Sequence, residues 1–562
     1  MGSLLEKGLL EMKESPWLSL GLAFVLIVFS AFLFFFKLGD IGLFDVDEPS
    51  YAEAAREMLE TGDYITPRFN YKNRYDKPVL FYWLIALSYQ AFGVNEFAVR
   101  FPSAIAGLIL IVSTFYFVRR FIGTRAGFLS ALMLATNLAV VAWSRAAVTD
   151  MLLTLFLSWG FFSFFMAHHT SETKKKAWYY GLYLMMALAA LTKGLVGIVI
   201  PALVIIPYLL ATGGLRQALK ECRVLPGFLI FLAVALPWYL LEIRASGWEF
   251  IDAFFIKHHF VRYTGVVSGH RGPILYFIPV VLVGFFPWSA YLPLALTGAI
   301  PNKFRALRST SGEGRLPFFA AWWFLAIFLF FSLAGTKLPS YILPSFPAMA
   351  ILVGGLWDLE LTPRPRGWGF LASHIFLVLM ALLLALGFFL APTLVERARA
   401  TSPALLPDPK DLGTSTGLLG IGFLICGISP LLFRSLRYLG LGTLALTMVY
   451  LSLVLILQVA PLAYAHLQSA LKDFALTASA RLGSGGELAL FGANNPSVVF
   501  YGRRPVKQLG KGEKEALKGL LASHERVYVI TKASLLPEIG GLNVFLVERR
   551  GAYALVSNRP PD

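Results

Sequence analysis

Residues 17–36 read WLSLGLAFVLIVFSAFLFFF, a run without a single charged side chain. A helix of about 20 apolar residues is long enough to cross a bilayer. The run is too long for the apolar core of a signal peptide and lacks a small-residue cleavage site, so we expect it to be a first membrane span. The segment DVDEPSY, residues 45–51, follows after a short loop and places acidic side chains where the chain leaves the membrane.

The composition is that of a polytopic membrane protein. Hydrophobic residues make up 57% of the chain and charged residues only 15%, whereas soluble proteins average about 25% charged residues. The net charge of +16 is scattered over short loops between apolar runs, which is typical of topology signals, so we expect no nucleic-acid partner. Cys222 lies in a basic loop and Cys426 in an apolar run, so a disulfide between them is not expected.

Thirteen apolar runs are candidate membrane spans. They are residues 17–36, 97–118, 126–143, 151–166, 178–191, 195–211, 224–241, 274–296, 316–333, 339–357, 368–391, 413–433 and 438–459. A further run, 78–92, is too short to span and is predicted to be a re-entrant or surface helix.

Alternate loops between these runs are basic, which predicts the topology. With a cytoplasmic N terminus, the basic residues on the inner side are Arg119, Arg120, Arg125, Lys174, Lys175, Lys176, Arg216, Lys220, Arg223, Lys303, Arg305, Arg308, Arg315, Arg364, Arg366, Arg434 and Arg437. Positive charge sorts to the cytoplasmic side. The outer side then holds loops 37–96 and 242–272 and everything after Val459.

The last hundred residues differ in composition from the rest. Short β-prone runs at 487–491, 498–501, 526–531, 544–547 and 553–556, with a helical stretch at 513–521, predict a small α/β domain. We therefore expect an all-α polytopic membrane domain at 1–465, with about thirteen spans, and an outer α/β domain at 466–562.

Asp47 and Glu48 are the candidate catalytic residues. They precede a helix whose apolar positions from Tyr51 to Leu59 share one face, which predicts a helix along the membrane surface with its other face in water. The polar residues expected in water are Glu53, Arg56, Glu57 and Glu60. A structural role is equally open, because either acidic residue could cap this helix ahead of Pro49.

Cations from several outer loops are candidate phosphate ligands. Lys77 precedes Pro78 and the apolar run 78–92, so it is the cation of its loop least able to turn back to water. The alternative is that it anchors the helix at the membrane interface. With Lys193, Lys337 and Tyr341 from other outer loops, these residues predict a site for a phosphorylated amphiphile.

The outer loop before residue 274 contains a histidine pair, His258-His259, with Arg262 four residues after the first histidine. A divalent metal, Zn or Mg/Mn, would need a further ligand such as Asp76 or Glu48 from another loop. His258 and Arg262 would share one helix face. We therefore favour anion binding here and leave the metal site, with Asp76, His258 and His259 as ligands, as the alternative.

Several motifs resemble one known family. They are 44–48 FDVDE, 51–53 YAE, 62–64 GDY, 76–78 DKP, 191–194 LTKG, 259–262 HFVR, 270–273 HRGP, 286–288 FPW and 337–344 KLPSYILP. In this order they resemble the GT-C class of membrane glycosyltransferases that use polyprenyl-phosphate sugars. The likeness extends from about residue 40 to about residue 350 and is strongest to the aminoarabinose transferases of lipid A and the wider protein mannosyltransferase-like superfamily.

The resemblance implies a thirteen-span GT-C fold, catalysis by Asp47, and binding of the lipid phosphate by Lys77, Arg262 and Tyr341. It implies an inverting transfer of a sugar, with 4-amino-4-deoxy-L-arabinose as the candidate, from undecaprenyl phosphate to lipid A or another envelope acceptor. The reaction would take place at the periplasmic face of the bacterial inner membrane. One alternative is a protein O-mannosyltransferase. The other is a lipid transporter or flippase, which the scarcity of charge within the spans disfavours.

Overall fold

The computed structural model describes residues 16–169, 174–261, 263, 265, 271–300, 313–362, 367–399, 408–432, 436–483, 485–542 and 544–560. In these ranges nine helices are long and apolar enough to cross a membrane. They are Pro16–Phe35, Glu96–Phe121, Thr149–His169, Val224–His258, Leu316–Leu333, Pro339–Glu360, Trp368–Arg399, Pro409–Leu432 and Arg437–Leu467. The prediction of a helical polytopic membrane domain is therefore confirmed.

Two further predicted spans are bent helix pairs. Thr124–Ala135 and Leu138–Ser144 meet at 64°, and Ile274–Gly284 and Trp288–Ala299 meet at 114°. The bend of the first pair lies at Asn137, whose side chain accepts a hydrogen bond from Val140 N at 3.0 Å and so caps the second half. The two remaining predicted runs correspond to helices Lys175–Lys193 and Val196–Thr212. How many of these helices cross the membrane stays a prediction.

Shorter elements lie between the spans. Helix Leu80–Phe92 has 13 residues, too few to cross a bilayer, as predicted for this run. The strands β1 (Arg68–Phe69) and β2 (Lys72–Asn73) form an antiparallel hairpin ahead of it. Helix Leu215–Glu221 follows Val196–Thr212, and helix Asp47–Thr61 follows the first span.

The polar face of helix Asp47–Thr61 is not turned to water, so that part of the prediction is wrong. The side chains of Glu53, Arg56 and Glu57 are buried. The helix packs between Leu80–Phe92 and a helix of the C-terminal domain, Pro496–Gly502. A polar helix face lies in water only when no other part of the chain covers it, and here the distant helix Pro496–Gly502 covers it. Within the buried face, Glu53 and Arg56 form an ion pair at 2.5 Å.

The C-terminal domain is a five-stranded sheet with helices, as the sequence predicts for its fold class. Its strands are β3 (Glu487–Phe491), β4 (Val506–Leu509), β5 (Val527–Lys532), β6 (Phe545–Arg550) and β7 (Tyr553–Ser557), in the spatial order β4-β3-β5-β7-β6. The pairs β3/β4 and β3/β5 are parallel, and β7 runs antiparallel to β5 and β6. Its helices are Ser469–Arg481, Pro496–Gly502, Lys514–Leu521 and Leu536–Ile539.

One predicted strand of this domain is wrong. The apolar run 498–501 lies in helix Pro496–Gly502, which begins with a proline in its first turn and is buried along its whole length. A short apolar run cannot be told from a buried helix by periodicity, because all of its positions are buried in either case. The strand that the sequence analysis missed, β4, has only four residues, and Val506 is the one that is buried.

Candidate active site

A cavity of about 1070 Å³ brings most of the predicted site residues together. Loops between the helices, the ends of several spans and the C-terminal domain all contribute to its wall. The predicted residues that line it are Asp47, Asp76, Lys77, Lys193, His258 and Tyr341. Glu48 and Lys337 are not part of the lining, and Arg262 and the side chain of His259 lie outside the described residues.

Asp47 is the first residue of its helix, and its side chain is exposed. The N-cap residue is Val46, so neither Asp47 nor Glu48 caps this helix from the N-cap position. Within the described chain the Asp47 carboxylate makes no hydrogen bond and no ion pair. It lines the large cavity and also a second cavity of about 410 Å³. The carboxylate is therefore free to meet a substrate from either side.

Glu48 is saturated with hydrogen bonds. Arg100 donates to both of its carboxylate oxygens, at 2.9 and 2.8 Å, and the backbone N–H groups of Phe44 and Ala147 donate at 2.9 and 2.8 Å. Burial alone would raise the pKa of Glu48, but the adjacent Arg100 guanidinium and these hydrogen bonds lower it below its ordinary value. Glu48 is thus a buried, charged cross-link between the segment 44–48 and the span Glu96–Phe121.

Asp76 bridges Arg74 and His258 on the cavity wall. Its carboxylate contacts Arg74 Nη2 at 2.7 Å and His258 Nε2 at 3.0 Å. Burial would raise the pKa of Asp76, but His258 and Arg74 hold it well below its ordinary value. Lys77 follows, and its Nζ donates to the carbonyl oxygen of Asp76 at 3.1 Å. This wall therefore carries an anionic group enclosed by three cationic or basic ones.

Lys193 stands at the last turn of its helix and lies on the same cavity. Its Nζ donates to Asp150 Oδ1 at 2.7 Å and lies 5.3 Å from the centre of the Tyr341 ring. Two of the predicted phosphate ligands are thereby adjacent. Lys337 is instead buried beside the cavity and donates to Ala334 O at 2.5 Å.

The metal site predicted at Asp76, His258 and His259 stays a prediction. Asp76 and His258 do meet, but as partners of one hydrogen bond. Among the residues that the structure describes, no three His, Cys, Asp or Glu side chains are grouped closely enough to hold a metal ion.

Sequence reasoning missed the contribution of the C-terminal domain. Asn494, Pro496 and Gln508 line the large cavity. Ser497 donates to Asp45 from its backbone N at 2.8 Å and from its hydroxyl at 2.6 Å, and Asn495 donates at 2.9 Å. Burial raises the pKa of Asp45, although these hydrogen bonds oppose it. No local signal in the sequence links residues 45 and 495, because their contact is purely tertiary.

The sequence of the chain is similar to those of known proteins. The family model described as dolichyl-phosphate-mannose-protein mannosyltransferase matches residues 76–240. An undecaprenyl phosphate-alpha-4-amino-4-deoxy-L-arabinose arabinosyl transferase of Edwardsiella ictaluri is 32% identical over 348 residues, which cover 61% of this chain and 59% of the relative. An uncharacterized protein of Aquifex aeolicus is 31% identical over 363 residues, which cover 64% of this chain and 69% of the relative.

The crystal structure of ArnT from Cupriavidus metallidurans bound to undecaprenyl phosphate superimposes with a TM-score of 0.81 at 25% identity, over 96% of this chain and 99% of that one. The chain belongs to the aminoarabinose transferase family of GT-C membrane proteins. The predicted resemblance and the GT-C fold are confirmed. The chain is an integral inner-membrane protein. Its match covers about 59% of the length of the Edwardsiella ictaluri relative.

Proposed function

We propose that this family member is a glycosyltransferase that moves a sugar from undecaprenyl phosphate to lipid A or another acceptor of the cell envelope. The candidate sugar is 4-amino-4-deoxy-L-arabinose. The observation that carries the proposal is the free carboxylate of Asp47 at the junction of two cavities, one of which also contains Lys77 and Lys193. The reaction stated in the names of the curated relatives agrees with this arrangement.

The large cavity suits a lipid-linked donor. Part of its wall is apolar, and the residues of that part are Leu153, Leu195, Val196, Val199, Phe330 and Phe331. Lys77, Lys193 and Tyr341 lie on the same cavity and supply two ammonium groups and a hydroxyl. A polyprenyl chain would lie against the apolar part, and charge-assisted hydrogen bonds would hold its phosphate.

The chemistry is a displacement at the anomeric carbon of the sugar. The acceptor oxygen forms a bond to the anomeric carbon while the bond between that carbon and the phosphate oxygen breaks. Undecaprenyl phosphate leaves with the electron pair of the broken bond. Positive charge develops on the sugar ring and negative charge on the leaving phosphate, so Asp47 stabilises the first and the lysines the second. If the acceptor is a hydroxyl, Asp47 takes its proton as general base. If it is a lipid A phosphate, no proton has to move.

The second cavity suits the acceptor. The two cavities share part of their linings, namely Asp45, Val46, Asp47 and Val148. The cavities therefore meet at the segment 45–47. The second cavity is lined by apolar side chains of the last span, by Arg145, and by Lys37, which pairs with Asp40 of the same lining. An anionic, acylated acceptor would find matching surfaces there. Attack from this side, opposite the phosphate, inverts the anomeric centre.

The basic loops support an orientation for the chain in the membrane. Because positive charge sorts to the cytoplasmic side, we expect the N terminus in the cytoplasm and both cavities, with the C-terminal domain, in the periplasm. The polyprenyl-linked sugar would therefore be used on the periplasmic face.

The test is a transfer assay with the full chain in lipid nanodiscs, given undecaprenyl phosphate-linked aminoarabinose and lipid A. Mass spectrometry should find the sugar on lipid A and free undecaprenyl phosphate in equal amounts. A parallel reaction with polyprenyl-phosphate mannose and a Ser/Thr peptide tests the O-mannosyltransferase alternative, which the match over residues 76–240 favours. Transfer to the peptide alone, or movement of the donor across the bilayer without transfer, would refute the proposal.

A further inference from the structure

We propose that the C-terminal domain recognises the donor sugar directly, through the side-chain amides of Asn494 and Gln508. This inference rests on the proposed function, because it deepens the role of the donor cavity. Both residues line that cavity together with Asp47 and Lys77. Both are exposed, and within the described chain neither amide makes a hydrogen bond.

The part of the cavity wall that the C-terminal domain supplies is the part that remains for the sugar. The apolar residues of the membrane domain suit the polyprenyl chain, and Lys77 and Lys193 suit the phosphate. The anomeric carbon must lie between the phosphate and Asp47. The rest of the sugar ring must then project past Asp47, and the domain that closes the cavity there is the C-terminal one, through Asn494, Pro496 and Gln508.

The chemistry of the two side chains fits a sugar. A carboxamide offers two N–H donors and a carbonyl acceptor, and a sugar hydroxyl both donates and accepts. Neither amide carries a charge, so neither competes with the lysines for the phosphate. A carboxamide therefore suits the neutral hydroxyls of the ring better than the charged end of the donor.

The main chain around Asn494 is fixed by contacts between the domains. The next residue, Asn495, and Ser497 both hydrogen-bond to Asp45, two residues before Asp47. Because its neighbour Asn495 is anchored to Asp45, the main chain of Asn494 is held near the segment 45–47. A ligand that bridges Asp47 and Asn494 would meet groups that are already ordered, which lowers the entropy cost of binding.

Gln508 is fixed in the same way. Asn70 donates to Val506 O at 2.7 Å and accepts from Val506 N at 2.9 Å, so β4 is tied to the β1–β2 hairpin. Side chains alternate along a strand, so Val506 and Gln508 point to one side and Lys507 to the other. Lys507 pairs with Glu487 at 2.8 Å on the surface. Lys507→Ala is therefore a matched control on the same strand.

The experiment compares binding of two kinds of lipid to the full chain in nanodiscs. One is undecaprenyl phosphate without a sugar. The other is undecaprenyl phosphate that carries aminoarabinose, mannose or glucose. The variants are Asn494→Ala, Gln508→Ala, the double variant and Lys507→Ala, and a thermal melt shows that each is folded.

Each single alanine should weaken binding of the preferred sugar-lipid by about three- to tenfold, the loss of one neutral hydrogen bond. Binding of the bare lipid should not change, and Lys507→Ala should bind both lipids as the wild type does. Equal losses for both lipids would mean a structural role and overturn the inference. The same conclusion follows if no variant changes binding or if no sugar adds affinity in the wild type. A wild type that does not bind undecaprenyl phosphate at all would instead refute the proposed function.

Discussion

Replacing Asp47 by asparagine isolates the chemical role of its carboxylate. The substitution removes the charge and keeps the volume of the side chain. Because Asp47 is exposed and makes no hydrogen bond or ion pair within the described chain, no folded-state contact is lost. We therefore expect sugar transfer to fall while the melting temperature hardly changes.

The magnitude follows from the proposed role. Acid–base catalysis and the stabilisation of a developing charge each contribute about a hundredfold or more to a rate. A hundredfold loss corresponds to about 2.7 kcal/mol in the activation free energy. Glu48→Gln provides the contrast, because it leaves the buried guanidinium of Arg100 without its charged partner. Breaking a buried ion pair in this way costs about 3 to 5 kcal/mol of stability.

The assay measures the initial rate of transfer to lipid A and the melting temperature of each purified variant. Glu538→Gln, on the exposed surface of the C-terminal domain, serves as the control and should match the wild type in both. Asp47→Asn should fail in transfer alone, and Glu48→Gln should lose thermal stability. Near-normal transfer by Asp47→Asn would refute the catalytic role of Asp47, and the carboxylate would then have to be sought at Asp150 or Asp76.

Lys77, the buried Glu57 and the membrane topology can each be tested separately. Lys77→Ala should weaken binding of undecaprenyl phosphate by about 2 to 4 kcal/mol without a change in melting temperature, as for the loss of one charged donor to a buried anion; unchanged binding removes Lys77 from the site. Burial and the nearby Glu53 carboxylate raise the pKa of Glu57 to about 8. The folded state thus holds a proton that the unfolded chain loses near pH 4.5, so stability should fall as pH rises from about 4.5 to 8. Glu57→Gln should flatten this dependence in melts over that range, whereas parallel pH profiles would contradict it. A reporter active only in the cytoplasm, fused after Asp562, should be silent, and strong activity there would mean that the predicted number of spans is wrong by one.

The spans could be predicted because their signal is local. A long apolar run is enough to predict a membrane helix, and each of the two bent pairs corresponds to a single predicted run. The site was predicted only in part. Asp47, Lys77, Lys193 and Tyr341 line one cavity, whereas Glu48 and Lys337 do not, and the roles of all six in catalysis or binding stay predictions.

What the sequence could not predict is how distant segments cover one another. The burial of Glu53 and Glu57 depends on a domain that lies more than 400 residues further along the chain. The contact between Asp45 and Asn495 spans 450 residues. Hydrophobic periodicity describes which face of a helix is polar, but not whether another domain covers that face.

The different environments of Asp47 and Glu48 show where local reasoning ends. Successive residues of an α-helix point about 100° apart, so two neighbouring carboxylates at the start of a helix must face different surroundings. The sequence therefore predicts that their roles diverge, but not which one faces the cavity. The position of Arg100 in the span Glu96–Phe121 decides which carboxylate is bound. Its guanidinium donates to both oxygens of Glu48 and also to three backbone carbonyls of the loop 38–42. The same arginine thus fixes the loop and occupies one carboxylate, which leaves Asp47 turned toward both cavities.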